Sequence, residues 1–360
     1  MIHAVIMAGG SGTRFWPESR NQKPKQLLKL GGDQTMIQAT VARLNGMVPN
    51  DNVLIVTNQR LVDPIAQQIP ELDRAAIIGE PCKRDTAPCV GIAAAMVAGR
   101  DKDATMIVMP ADHVIQDVAA FQNAIRQAAQ LIEQHPRRFV TFGIKPTYPA
   151  ESFGYIERDN QNEIRLPGSK AFQVLRFREK PNAALAAEFL ASGNFYWNSG
   201  IFVWRAQAIL DALREFEPEM YLHIERIQRA IGSKDFEKVF AEQFTAIKGK
   251  SIDYAVMETY DDVAVVEAAF DWDDVGNWPA LARLRETDAH GNTIVGKHIQ
   301  IETSNTIVYN NRDHLVVTVG LDDCIVVHTK DATLVAKRKN EEQIRNVVKE
   351  LESLGWTEYL

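Results

Sequence analysis

The chain has 360 residues, is 46% apolar and 24% charged, and carries a net charge of −7. That length allows a large core and more than one domain, and the composition argues against disorder. The acidic balance argues against a general nucleic-acid or anionic-membrane surface. No apolar run reaches membrane-spanning length, and no basic n-region with a cleavable apolar core opens the chain. Cys82, Cys89 and Cys324 fit neither an even disulfide framework nor zinc spacing, so free thiols and a cytoplasmic location are expected.

In chain order, Ile2 to Ala8 is a near-continuous apolar run, the pattern of a strand buried on both faces of a parallel sheet. Further strands are expected at 52–57, 75–79, 104–109 and 139–143, with helices at 36–44, 87–98 and 119–134 between them. Alternation of this kind predicts crossover connections and a Rossmann-like, mostly parallel sheet with helices on both faces. Ligands bind such sheets beyond the carboxyl ends of the strands. The segment from about 146 to 287 is mixed, with strands at 155–158, 173–178 and 200–204 and helices at 182–191, 205–214, 217–231 and 251–259. It is expected to extend the same sheet, which gives a catalytic domain over residues 1–287. From 288 to 360 apolar clusters near Ile299, Ile307, Val316, Val326 and Leu334 recur roughly every nine residues, with turn signals such as Asn310-Asn311 and Asp322-Asp323 between them. This predicts a small β-domain resembling a short β-helix. It ends in an amphipathic helix carrying Ile344, Val347, Val348, Leu351 and Leu354. That helix is expected either to cover its own β-domain or to join a homodimer.

The first strand breaks into Gly9-Gly10-Ser11-Gly12-Thr13-Arg14, followed by a stretch in which Arg14, Arg20, Lys23 and Lys25 face only Glu18. Glycines let backbone N–H groups converge on an anion, so a polyphosphate is the expected ligand. The loop is not a Walker A motif, because no Gly-Lys-Ser/Thr follows, and Phe15 stands where a dinucleotide fingerprint needs its third glycine. The fuller pattern Gly9 to Pro17 with Pro24-Lys25-Gln26 resembles the signature of sugar-1-phosphate nucleotidylyltransferases. Its Phe-Trp-Pro form is similar to the mannose-1-phosphate guanylyltransferases. The resemblance covers roughly residues 1–285. It implies that the loop from Ala8 through Gly9, Gly10, Gly12 and Thr13 holds a triphosphate, with Arg14 and Lys25 as the catalytic cations.

Glu80, at the end of the third strand, is a carboxylate able to accept from the N1–H and N2–H donors of guanine. Its segment Gly79 to Pro88 resembles the family's base-recognition loop, which implies Thr86 and Ala87 as further contacts, although Asp85 or Thr86 could equally be a helix cap. Met109-Pro110-Ala111-Asp112-His113 ends a strand in an acid, and Phe270 to Trp278 sets Asp271, Asp273 and Asp274 among aromatics. In the family these motifs hold the metal, which implies Asp112 and Asp274 as Mg2+ ligands. Magnesium needs few protein carboxylates when phosphates complete its octahedron. The resemblance further implies Gly154, Glu179, Lys180 and Asn198 as sugar-phosphate contacts. Tyr254 and Glu258 lie in another family motif without an assigned atomic role. Glu151-Ser152-Phe153-Gly154 departs from the Thr-Gly-Tyr-Gly expected there.

The implied reaction transfers GMP from GTP to α-D-mannose 1-phosphate, releasing pyrophosphate and forming GDP-mannose. An anionic nucleophile needs no general base, and positioning with charge neutralisation carries such chemistry. The alternatives are a nucleotidylyltransferase for another hexose 1-phosphate and a catalytically silent nucleotide-sugar sensor. Since longer family members add a cupin-like isomerase domain after this point, no second, isomerase activity is expected.

Overall fold

The structure, a computed structural model, describes residues 1–10, 12–310 and 313–360. Ser11 of the glycine loop and Asn311 of the expected turn lie outside the described residues. The chain forms two compact units that interleave in sequence. The first comprises Met1–Gly9, Ala42–Ala111 and Ile115–Trp272; the second comprises Gly10–Val41, Asp112–Val114 and Asp273–Leu360.

The first unit is built on one sheet of nine strands among the described residues: β1 (Ile2–Ala8), β2 (Val53–Asn58), β3 (Ile77–Glu80), β4 (Thr105–Pro110), β5 (Phe139–Ile144), β6 (Tyr155–Leu166), β7 (Ser169–Arg178), β8 (Phe195–Arg205) and β9 (Val263–Glu267). Their order is β3-β2-β1-β4-β8-β5-β9-β7-β6. β1 pairs in parallel with β2 and β4, which is why its side chains are buried with almost no polar interruption. β8 runs antiparallel to β4 and β5, and β7 antiparallel to β9 and β6, so the other seven strands share one direction. The sheet is mostly parallel and continuous through the mixed half, as expected. β9, and the length of β8 from Phe195, were not anticipated. Both are short on helix or turn signals but read as ordinary apolar runs, which periodicity alone does not assign.

Helices cover this sheet. α1 (Met36–Ala42) precedes them, and α2 (Val62–Gln68), α3 (Thr86–Arg100) and α4 (Val118–Gln134) connect parallel strands. α4 is amphipathic, burying Phe121, Ala124, Ile125, Ala128, Leu131 and Ile132 at helical spacing, and Asp117 caps it through the Ala120 N–H at 2.9 Å. α3 is apolar nearly all round because it is buried nearly all round. Gly91 in α3 admits α7 (Pro218–Ala230): a Cβ there would lie 2.4 Å from Ile224 Cδ1. α5 (Ala183–Ser192), α6 (Ala206–Phe216) and α8 (Phe236–Ala246) complete this unit. Stretch 251–259 was expected to be a helix; it holds a single wide π turn, Asp253–Met257, with Ser251 Oγ accepting from the Tyr254 N–H. Such turns recur at functional sites.

The second unit contains α9 (Leu281–Leu284), β10 (Thr293–Val295), β11 (His298–Ile301), β12 (Ile307–Asn310), β13 (Val316–Val319), β14 (Cys324–His328), β15 (Thr333–Lys337) and α10 (Ile344–Leu354). β10, β12 and β14 stack in parallel on one face and β11 and β13 on another, a β-helix-like coil closed by antiparallel β15. Its core joins Ile307, Tyr309, Ile325 and Val327 to Phe15, Trp16, Leu28, Trp278 and the α10 residues Ile344 and Leu351. The apolar stripe of α10 thus packs into this unit's own core. The segment after the glycine loop folds with the C-terminal strands, a grouping that no stretch of sequence announces.

Candidate active site

Beyond the carboxyl end of β1 the chain enters the glycine loop. Gly12 has φ +62°, and a Cβ there would lie 2.5 Å from Lys25 Cβ and 2.8 Å from its backbone N. Only glycine lets this loop fold against Lys25. Ser19 Oγ donates to the Gly12 carbonyl at 2.7 Å, and Thr13–Phe15 forms a 3-10 turn that carries Arg14. Phe15 meets Trp278 edge-on at 5.2 Å between centroids, and Trp278 Nε1 donates to the Trp16 carbonyl at 3.2 Å. The Phe-Trp pair of the motif is therefore an anchor. Burying each such ring contributes about 2 kcal/mol or more toward holding the loop.

Lys25 is buried and points at the two expected acids. Its Nζ donates to Asp112 Oδ2 at 2.8 Å and to the Asp274 backbone carbonyl. A Cβ on Gly276 would lie 2.9 Å from Asp274 Oδ2 and 3.3 Å from Arg14 Nη1, so Arg14 and Asp274 flank the same glycine. Arg14, Lys25, Asp112 and Asp274 thus converge within the second unit. Val275 between them holds φ +46°, a strained conformation for a buried β-branched residue. Burial alone would raise the Asp112 pKa, but Lys25 and then His113 outweigh it and the net shift is downward. For Asp274 burial prevails: its pKa is raised, with Asp273 and Asp112 adding repulsion against Lys25 and Arg14.

The competing aspartates are occupied elsewhere. Asp271 accepts from the N–H groups of Gln116 and Asp117 at 2.9 and 2.7 Å. Asp273 receives the Arg283 fork at 2.6 and 3.0 Å and the Val275 N–H at 2.7 Å. Among the described residues no group of three or more acidic, His or Cys side chains forms a ready metal cage. Two carboxylates suit a cation that takes its remaining ligands from phosphates and water, so the residues present fit a divalent metal brought with a nucleotide.

In the first unit, Ala8 ends β1 and Gly9 follows it, and a Cβ on Gly9 would lie 3.7 Å from Glu80 Oε2. Glu80 is buried, its Oε1 finds no hydrogen-bond partner among the described residues, and burial pushes its pKa up to about 7. A buried carboxylate oxygen costs free energy until a donor meets it, which makes this one a candidate acceptor for a ligand. Asp85, at φ +65°, caps α3 through the Thr86 N–H at 3.0 Å. Thr86 Oγ1 accepts from the Ile252 N–H at 2.8 Å, which leaves its hydroxyl hydrogen to donate. Ala87 is fully buried with its N–H given to the Lys250 carbonyl at 3.0 Å.

The four expected sugar-side residues also meet in this unit. A Cβ on Gly154 would lie 2.5 Å from Glu179 Oε2 and 3.5 Å from Asn198 Cβ. The Asn198 N–H donates to the Gly154 carbonyl at 2.8 Å, and Lys180, at φ +45°, pairs with Glu179 at 3.0 Å. Asn198 sits mid-strand in β8 beside a shift in the β5–β8 register, the kind of irregularity that re-aims a side chain. Its Oδ1 accepts from Thr141 and the Gly200 N–H, and its Nδ2 donates to Asp253 Oδ1 at 3.0 Å. Asp253 was passed over in the sequence. Burial, reinforced by Glu179, raises its pKa to about 6. Its place beside Tyr254 in the 251–258 family motif was the available signal. Glu258 is raised by burial and Glu179 as well, while Tyr254 is half exposed.

Residues 3–291 match the family described as Nucleotidyl transferase, and residues 296–351 match a MannoseP isomerase/GMP-like beta-helix domain. The chain is 40% identical to the mannose-1-phosphate guanylyltransferase of Escherichia coli K12, over 99% of this chain and 75% of that one. It is 41% identical to the xanthan biosynthesis protein XanB of Xanthomonas campestris pv. campestris, over 98% of this chain and 74% of that one. A crystal structure from Thermus thermophilus, described as a mannose-1-phosphate geranyltransferase, superposes with a TM-score of 0.86 at 32% identity, covering 98% and 99% of the two chains. With the signature loop, the paired aspartates and likenesses spanning nearly all of this chain, the chain belongs to the nucleotidyl transferase family, in its mannose-1-phosphate guanylyltransferase branch.

Proposed function

We propose that this enzyme transfers GMP from GTP to α-D-mannose 1-phosphate, forming GDP-mannose and pyrophosphate. The observation that carries the reading is Lys25, buried and aimed at Asp112 and Asp274 beside Arg14. Backbone amides of Gly9, Gly10, Gly12 and Thr13 receive the triphosphate, and Arg14 takes up charge on the outer phosphates. Lys25 stands ready to release Asp112 and follow the negative charge that develops at the α-phosphate as the sugar phosphate attacks in line. Preorganised cations of this kind need no reorganisation during the step. Asp112 and Asp274 would hold Mg2+, which screens repulsion between the two phosphates. Glu80 accepts from the guanine N1–H and N2–H, Thr86 donates its hydroxyl nearby, and Ala87 fixes the first turn of α3. Glu179 and Asn198 hydrogen-bond the hexose hydroxyls above Gly154, and Lys180 meets the sugar phosphate.

We assign the catalytic segment to residues 1–287 and the C-terminal β-segment to 288–360, supported by family matches that meet between residues 291 and 296. A cytoplasmic site of action accords with three unpaired cysteines. A homodimer is supported by the β11–β13 face. Ile299, Ile301, Leu315, Val317 and Val319 are each about half exposed there, while His298, Gln300 and Thr318 turn inward to hydrogen bonds. A sheet face with its apolar row outward is an association surface.

The test is a matrix of nucleoside triphosphates and sugar 1-phosphates with magnesium, read as pyrophosphate release. GTP with mannose 1-phosphate is expected to turn over fastest. Preference for another hexose 1-phosphate would replace the sugar assignment, and silence throughout would favour a nucleotide-sugar sensor.

A further inference from the structure

After β15 the chain makes a 3-10 turn, Arg338–Gln343, before α10 begins. This turn brings Glu342 to the phosphate-loop arginine and Glu341 to the neighbouring Asn277. Glu342 Oε1 lies 3.8 Å from Arg14 Nη1, and its Oε2 lies 3.4 Å from Arg345 Nε. Glu341 Oε1 accepts from Asn277 Nδ2 at 2.7 Å, while its Oε2 is buried without a hydrogen-bond partner among the described residues. Asn277 follows Asp274 by three residues and caps the next turn through the Ala280 N–H at 3.3 Å. Segment 274–277 therefore runs beside Arg14 at Gly276, where a Cβ would lie 3.3 Å from the guanidinium, and is held to Glu341 through Asn277.

An arginine has about 2 kcal/mol of rotamer entropy to lose when it docks. Its planar fork can meet an anion on one edge while another edge is held. The Arg14–Glu342 pair is long and Glu342 is exposed, so it contributes little to folding stability. Its effect is directional: it sets where the guanidinium waits. The burial-raised pKa of Glu341, opposed by Arg14, places its charge in the same local field.

We propose that Glu342, backed by Glu341, is a positioning residue that orients Arg14 toward the triphosphate, which makes the C-terminal β-segment part of the catalytic apparatus. The inference rests on the reading of Arg14 as a triphosphate ligand. A double-mutant cycle on the full chain tests it, comparing Arg14→Gln, Glu342→Gln and the double variant by kcat and KM for each substrate. Glu342→Gln is expected to lower kcat/KM for GTP about five- to tenfold, within the range of coupling between neighbouring charged groups. KM for mannose 1-phosphate should stay unchanged. In the Arg14→Gln background the same change should cost less than about twofold, and Glu342→Asp should recover part of the loss. Equal losses in both backgrounds, or no loss with Arg14 intact, overturn the positioning role. A silent Arg14→Gln overturns the underlying reading of Arg14, and the inference with it.

Discussion

Glu80→Gln separates binding from stability at one carboxyl. Burial raises the Glu80 pKa from 4.5 to about 7 in the folded chain. The folded state thus holds this proton more tightly than the unfolded one. The associated stability is fully present below pH 4.5 and is lost as pH rises through about 7. Two and a half pK units correspond to about 3 kcal/mol. Replacing the carboxylate by an amide should recover most of that at about pH 8 and only about a quarter of it at about pH 5. For a chain of this size the gain corresponds to a Tm increase of about 4 °C. Function should move the other way. A charged acceptor facing base donors contributes about 1.5–3 kcal/mol, so KM for GTP should rise roughly ten- to hundredfold. In the native protein, protonation of Glu80 below about pH 7 should raise KM for GTP by up to about tenfold per unit, a dependence the amide variant lacks. Thermal unfolding at both pH values, with KM against pH for both proteins, measures all of this. An unchanged Tm difference between the two pH values, together with a KM for GTP within about twofold of native, would refute the reasoning.

Asp274→Asn should lower kcat by more than about 10²-fold while GTP binding persists, as loss of a preorganised charge contact does. Near-normal turnover at saturating magnesium would remove Asp274 as a metal ligand. Gly12→Ala places a Cβ against Lys25 at a left-handed position, a strain of about 1–3 kcal/mol, and a displaced Lys25 should cost about 10²-fold in kcat; steady-state kinetics on the folded variant checks it. Asn198→Ala should raise KM for mannose 1-phosphate about tenfold by leaving Asp253 unpartnered, with KM for GTP steady. Val317→Asp should convert a dimer to a monomer in sedimentation velocity, and a native protein that sediments as a monomer would end the dimer assignment.

Local chemistry made much of this protein legible before folding. The apolar run of β1 required burial on both faces, and the period of α4 required one buried face. Gly12, Phe15, Trp16 and Lys25 stood in a pattern that resembles the family's signature loop. Asp112 and Glu80 ended strands, where a parallel sheet displays its ligands. Strand order lay outside such reasoning, because the pairing of β8 between β4 and β5 joins residues far apart in the chain. Residue types alone did not choose among Asp271, Asp273 and Asp274; the resemblance picked Asp274. Their sequence context is nearly identical, and only folding gives Asp271 two backbone donors and Asp273 the Arg283 fork, leaving Asp274 beside Lys25. Asp253 looked like one acid in a helical stretch until the π turn set it against Asn198.

The sequence pointed to the reaction class through the resemblance of its glycine loop, Lys25 and aspartate motifs to the nucleotidylyltransferase signature. Tertiary structure alone decided which carboxylates carry charge and which are structural, since burial and hydrogen-bond partners set that, and both come from distant segments. It also decided that the glycine loop's Phe15 and Trp16 share a core with α10, and that Glu342 reaches Arg14 from more than three hundred residues away in the chain.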